Sequence, residues 1–236
     1  MHSPMADGGS GTPAVVTPTA GVDPCVALAT SLQASPGVYA VLVGSGLSSA
    51  AGIRTGWQVT QDLMRRVALA EGVPEEELGN APEHWWINQG RADPRYDTLL
   101  EAIAPSTAAR HAILRHYFDP PHGEGGPILP TQAHRALANL CAAGRIRVMF
   151  TTNVDRLLER ALEDAGAAPQ VIATSADITG MTPLTHARAT VVKLSGDYTK
   201  LDMRNTAEEL ARSLSSPVRR FVCEFSERPP SCRLAC

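Results

Sequence analysis

Three short segments combine glycine, hydroxyl, amide and carboxylate groups in the way a phosphate- and sugar-binding site requires. The first is Gly44-Ser45-Gly46-Leu47-Ser48-Ser49-Ala50-Ala51-Gly52-Ile53. Two glycines directly after an apolar run permit a tight turn and close backbone approach to a phosphate, which helix-terminal N–H groups can hold. The segment departs from the dehydrogenase fingerprint GxGxxG, which needs glycine where Ser49 stands. The acidic residue expected about 20 positions on is also missing, because Asp62 has that spacing but falls inside a predicted helix. Taken alone, the segment reads either as a phosphate loop or as a strand-to-helix turn that holds nothing.

The second segment is Thr151-Thr152-Asn153-Val154-Asp155. Asn and Asp are good helix caps, and one of the two is expected in that role. The amide of Asn153 is equally suited to bonding a sugar hydroxyl or orienting a water, with Asp155 holding the arrangement. The third segment is Ser195-Gly196-Asp197, at the end of another apolar run.

These segments need elements that bring them together. Val38–Val43 is a nearly unbroken apolar run, as in a buried parallel strand, and it stops at Gly44. A helix is predicted from about Gln58 to Ala70, with Leu63, Val67 and Ala70 on one face and Gly72 and Pro74 ending it. The stretch 74–130 is less regular and reads as a helical insertion, with helices near Tyr96–Ile103 and Thr107–Tyr117. Ala133, Leu137, Leu140 and Cys141 then form a helical stripe, followed by a strand at Ile146–Phe150. A further stripe (Leu157, Leu158, Ala161, Leu162, Ala165) precedes strands at Val171–Ala173 and Thr190–Leu194. Strands alternating with helices predict an α/β fold, an open parallel Rossmann-like sheet with helices on both faces. Ligands of such sheets bind outside the carboxyl ends of the strands, where all three segments fall.

Composition bounds the rest. The chain has 236 residues, 21 basic and 24 acidic side chains, and a net charge of -3, which argues against a dedicated nucleic-acid binder. No apolar run approaches the ~20 residues of a membrane span. Residues 1–22 are rich in Gly, Pro, Ser, Thr and Ala and read as a disordered leader without a secretory signal, so a cytoplasmic location is expected. The domain proper is placed at 23–214. The tail 215–236 has consecutive prolines, Cys223, Cys232 and Cys236, and no useful period. It is expected to be a truncated or frame-shifted end that leaves the last strand of the sheet missing. The five cysteines contain no CxxC pair, so no zinc site and no other metal site is expected.

Taken jointly, GSGLSSAAGI, the segment Pro130-Thr131-Gln132-Ala133-His134-Arg135-Ala136-Leu137-Ala138, TTNVD and VVKLSGDY occur in a specific order. The chain between about Val38 and Leu210 resembles the sirtuin (SIR2) family, and more closely its SIR2-like branch in bacterial anti-phage defence. Gly44–Ile53 is similar to the family's GAGxSxxxGI loop, and TTNVD to its T-Q/T-N-x-D motif. Thr55-Gly56-Trp57 is similar to the defence-type T-G-W rather than to the deacetylase P-D-F-R. The resemblance implies that NAD+ binds as substrate. Gly44, Ser45, Gly46 and Ser48 would then surround the phosphates. Gly52, Ile53 and Trp57 would line the nicotinamide side, and Thr152, Asn153 and Asp155 would face the ribose. It further implies an NAD+ hydrolase, releasing nicotinamide and ADP-ribose, with Asn153, Asp155 and Ser195 as catalytic candidates.

Two departures qualify the implied activity. The missing cysteine quartet disfavours a protein deacylase, which usually carries a zinc ribbon. The family's K-L-H-G motif supplies a histidine base, and here Ser195 stands in that place. A hydroxyl does not take up a proton near neutrality, so either Asp155 or Asp197 compensates or the domain only binds NAD+ or ADP-ribose. His134 opens a helix and is expected to be a packed or capping residue. Branch members usually carry a sensing domain; none fits here, so a homo-oligomer or a separate sensor protein is the expected partner.

Overall fold

The computed structural model describes residues 21–118, 127–200 and 234–235. The leader up to residue 20 and the tail other than 234–235 lie outside them, as do Cys223, Cys232 and Cys236. Four parallel strands form the sheet: β1 (Tyr39–Val43), β2 (Ile146–Thr151), β3 (Pro169–Ile172) and β4 (Ala189–Lys193), in the order β3-β4-β2-β1. A two-residue β5 (Leu234–Ala235) pairs in parallel with Ala40 and Val41 on the outer side of β1. This short addition occupies the edge that the sequence leaves without a last strand, in a stretch that shows no strand period.

Helices cover the sheet as the alternation predicts. On one face, α8 (Gln132–Ala142) and α9 (Leu157–Asp164) pack Ala138, Cys141, Leu158, Ala161 and Leu162 against Ile146, Met149 and Val191. On the other, Ala40, Val148, Phe150 and Val192 meet α10 (Ser175–Thr179), Met181 and Leu184. Every residue of β4 is buried, whereas in β1 Ala40 alone is fully buried and Leu42 is 43% exposed. The apolar run of β1 therefore marks a half-covered strand, since its outer neighbour is only two residues long. Among the described residues no helix is long and apolar enough to cross a membrane.

Several elements carry too little period to be read from sequence. α1 (Pro24–Ala34) starts on the Asp23 side chain, which accepts from the N–H groups of Cys25 and Val26, yet it buries no residue. The insertion holds α4 (Glu75–Leu78) and α5 (Pro82–Asn88) before α6 (Tyr96–Ile103) and α7 (Thr107–Phe118). α2 (Gly46–Ser49) is one turn, and α3 (Gly56–Ala70) begins two residues before the predicted start. The reason is a capping box: the Thr55 hydroxyl accepts from the Gln58 N–H, and the Gln58 side chain accepts from the Thr55 N–H. Val59, Leu63 and Met64 of α3 join Leu99, Leu100, Leu114 and Tyr117 in a separate insertion core, to which Tyr198 and Val154 are added from the sheet side.

Candidate functional site

Strand register places the three segments level with one another. Val43 of β1 pairs with Thr151 of β2, and Thr151 pairs with Lys193 of β4. Ser45, Asn153 and Ser195 each lie two residues beyond that row, at the carboxyl end of the sheet. The first two loops are also bonded directly, because the Thr152 N–H donates to the Val43 carbonyl. A Cβ on Gly44 would come 3.3 Å from Thr152 Oγ1, so this close approach is what glycine permits at that position.

Ser48 is buried and stands at the centre. Its Oγ accepts from Asn153 Nδ2 at 2.9 Å and lies 3.4 Å from His134 Nε2. The Thr131 N–H donates to His134 Nδ1 at 3.1 Å, so Nδ1 is bare and the ring proton sits on Nε2, facing Ser48. Thr131 Oγ1 also reaches the Leu47 carbonyl at 3.3 Å, tying the start of α8 to the first loop. His134 is fully buried; burial lowers its pKa, Arg135 adds to this, and the nearby Asp155 opposes it. It is thus the packed, capping histidine that the sequence suggests, with both ring nitrogens engaged.

Asn153 is itself fixed by its N–H donating to Thr151 Oγ1 at 2.9 Å. Asp155 is buried, and from one residue before the N-cap Arg156 its Oδ1 accepts from the Leu157 N–H at the start of α9. Ser195 is partly buried, followed by Gly196 at φ +89°, where the loop turns away. Ile53 is buried, Gly52 adopts φ +84°, and Trp57 stands half-exposed on the first turn of α3. Hydrogen bonds and close approach join Gly44, Ser48, Thr152 and Asn153.

Residues 147–232 match the SIR2-like domain family. This span is a little over a third of the chain and holds both TTNVD and KLSGD. A search of curated proteins finds no match. SIR2-like domains use NAD+, and the match supports an NAD+-related function. The first loop precedes the matched span. Nothing stands within 4 Å of where a Cβ at Gly46 or Gly52 would sit, so the backbone there faces open space.

Two further groups of side chains brace these loops. Lys193 is fully buried and donates to the carbonyls of Val154 and Asp155, to Glu159 Oε1 and to Asp197 Oδ2. Burial raises the pKa of Glu159 more than Lys193 lowers it. For Asp197 burial also opposes ionisation, but Lys193 and Thr199 outweigh it and hold the carboxyl below its usual range. On the other side, Arg54 bonds Asp62 at 2.9 Å, Arg66 bonds it at 2.8 Å, and the Tyr117 hydroxyl donates to it. Both guanidinium groups lie over the Tyr117 ring. Arg54 directly follows Ile53, so this knot ties the first loop to α7 beside an open polar cleft of about 520 Å³.

Lys193, with its buried neighbour Glu159, was not among the candidates read from the residue pattern. Both nonetheless leave a signal: a lysine closing the apolar strand Ala189–Lys193, and a glutamate inside the stripe Leu157–Leu162. Charges at such places stay only when paired.

Proposed function

We propose that this chain is a SIR2-like domain that binds NAD+ and cleaves it to nicotinamide and ADP-ribose in the bacterial cytoplasm, in defence against phage. The observation that carries the reading is Asn153 at the sheet's carboxyl end, its side-chain amide donating to Ser48 and its backbone N–H to Thr151, two residues before buried Asp155. Cleavage breaks the bond between the nicotinamide nitrogen and ribose C1′, and the electron pair leaves with nicotinamide. Water adds its oxygen to C1′ and releases one proton to solvent. Positive charge develops on the ribose along the way, so fixed oxygen dipoles and a carboxylate are the groups the site must supply. Asn153 orients a ribose hydroxyl or the water, Asp155 contributes negative charge, and Gly44, Ser45 and Gly46 admit the phosphates. Ser48 acts on the phosphate side and through Asn153, Thr152 lines the ribose, and Gly52, Ile53 and Trp57 bound the nicotinamide.

The test is purified protein incubated with NAD+ while free nicotinamide is followed. Wild type is expected to turn over, and Asn153→Ala to lose about 10²–10³-fold in kcat, the scale for removing one positioned polar group. A folded wild-type protein that releases no nicotinamide would falsify the hydrolase reading. One observation favours a second reading, a non-catalytic NAD+ or ADP-ribose binding module. The position of the family base holds Ser195, and His134 has both nitrogens engaged and is no substitute. Calorimetric binding of NAD+ without turnover would establish the module.

A further inference from the structure

Lys193 ends a strand whose every residue is buried, and none of its side chain reaches solvent. Its ammonium has three protons to donate. Four oxygens lie within reach: the carbonyls of Val154 at 3.2 Å and Asp155 at 2.6 Å, with Glu159 Oε1 and Asp197 Oδ2 both at 2.8 Å. Two belong to the loop after β2, one to α9 and one to the loop after β4. We propose that Lys193 is a positioning residue, whose ammonium sets the Asn153–Asp155 backbone against the Ser195–Asp197 loop and so places the groups that face the ribose. The proposal rests on the NAD+ reading for what those groups face, and on geometry for what Lys193 holds.

Stability alone does not account for such a group, since apolar residues of similar volume often replace buried ion pairs at no cost. An ammonium supplies direction that an apolar residue lacks. It fixes two successive carbonyls immediately after Asn153, and the Tyr198 N–H donates to the first of them from the other loop. Asp197 is bonded also by the N–H and hydroxyl of Thr199. Among the described residues Glu159 accepts from Lys193 through Oε1, while Oε2 has no hydrogen-bond partner. Glu159→Gln keeps the shape of the side chain and its Oε1 acceptor for Lys193, and serves as the control.

The full chain is tested as Glu159→Gln, as Lys193→Met, and as Lys193→Met combined with Asp197→Asn, which removes both members of the Lys193–Asp197 pair if the single variant does not fold. Nicotinamide release gives kcat and KM for NAD+, and amide exchange reports the loop directly. In a folded Lys193 variant kcat is expected to fall about 100-fold, the scale of a 1 Å misplacement, with KM within about threefold. Exchange at 152–157 is expected to rise at least tenfold while 146–150 is unchanged, and Glu159→Gln to stay close to wild type throughout. A folded Lys193 variant with wild-type kcat and unchanged exchange overturns the assignment. So does failure of both Lys193 variants to fold, which would make the cluster a folding element. If wild type releases no nicotinamide, the hydrolase reading fails by itself and the exchange comparison decides the role of Lys193.

Discussion

Under the proposed hydrolase reading Ser195 takes the place where the resemblance puts a histidine base, and a hydroxyl does not take up a proton near neutrality. Under the hydrolase reading, restoring a titratable base there should accelerate turnover. Ser195→His is expected to raise kcat by roughly 10²-fold, the lower end for a positioned general base, with a new limb in the pH–rate profile near pH 6–7. Unchanged kcat in a folded variant would mean that attack on the ribose needs no base at this position. His134 makes the opposite case, a buried imidazole that must remain neutral. Its folded pKa lies below 6.5, because burial outweighs the attraction of Asp155 and Arg135 adds to the lowering. Between that folded value and 6.5 the unfolded chain binds a proton that the folded chain does not. Its stabilising effect is therefore complete above about pH 6.5 and is lost as pH falls through the window. Urea unfolding from pH 7 to 5 should show wild type losing up to about 1.4 kcal/mol per pH unit more than His134→Asn. Parallel pH curves for the two proteins would remove His134 as the titrating group.

At the scale of elements, what was legible was what repeats. The strand runs ending at Gly44 and Ser195, the stripes of α8 and α9, and the limits of α6 all appear in the residue pattern, and the structure places them within one or two residues. α4 and α5 are too short to show a period, and α1 has no buried face to mark. Of the site, the three loops were readable because glycine, Asn and Asp punctuate strand ends. The groups that hold them, Ser48 on His134 and Lys193 on Val154, are tertiary pairings between residues 39 to 86 positions apart, which no local pattern encodes. In the knot around Asp62 the Tyr117 bond, across 55 positions, belongs to the same class, while the Arg54 and Arg66 bonds are local. Burial opposes ionisation of Asp62, but Tyr117, Arg66 and Arg54 together hold its pKa below the usual value. Removing the hydroxyl in Tyr117→Phe leaves both guanidinium partners, so the expected loss is about 1–2 kcal/mol by urea unfolding at pH 7. A loss under about 0.5 kcal/mol would show that the two arginines alone fix α7 to α3.

Among the described residues, apolar cores lie on both faces of the sheet and a further one among α3, α6 and α7. A helical insertion with its own core raises the question of separate melting. Two contacts argue otherwise. Val154 and buried Tyr198, from the loops after β2 and β4, pack into the insertion core, and the Tyr198 ring lies 5.7 Å from that of Phe118 on α7. The same loops carry Asn153 and Ser195, so loosening the insertion withdraws support from the site, and a ligand that orders the site restrains the insertion. One calorimetric unfolding transition is therefore expected for the full chain. NAD+ at a hundredfold excess over its Kd adds about 2.7 kcal/mol to the folded state. For a chain of this length each kcal/mol moves the midpoint by about 2–4 °C, so the single transition should rise by about 5–10 °C. Two transitions, only the upper or lower of which responds to NAD+, would show that the insertion folds independently and that Tyr198 does not couple it to the sheet.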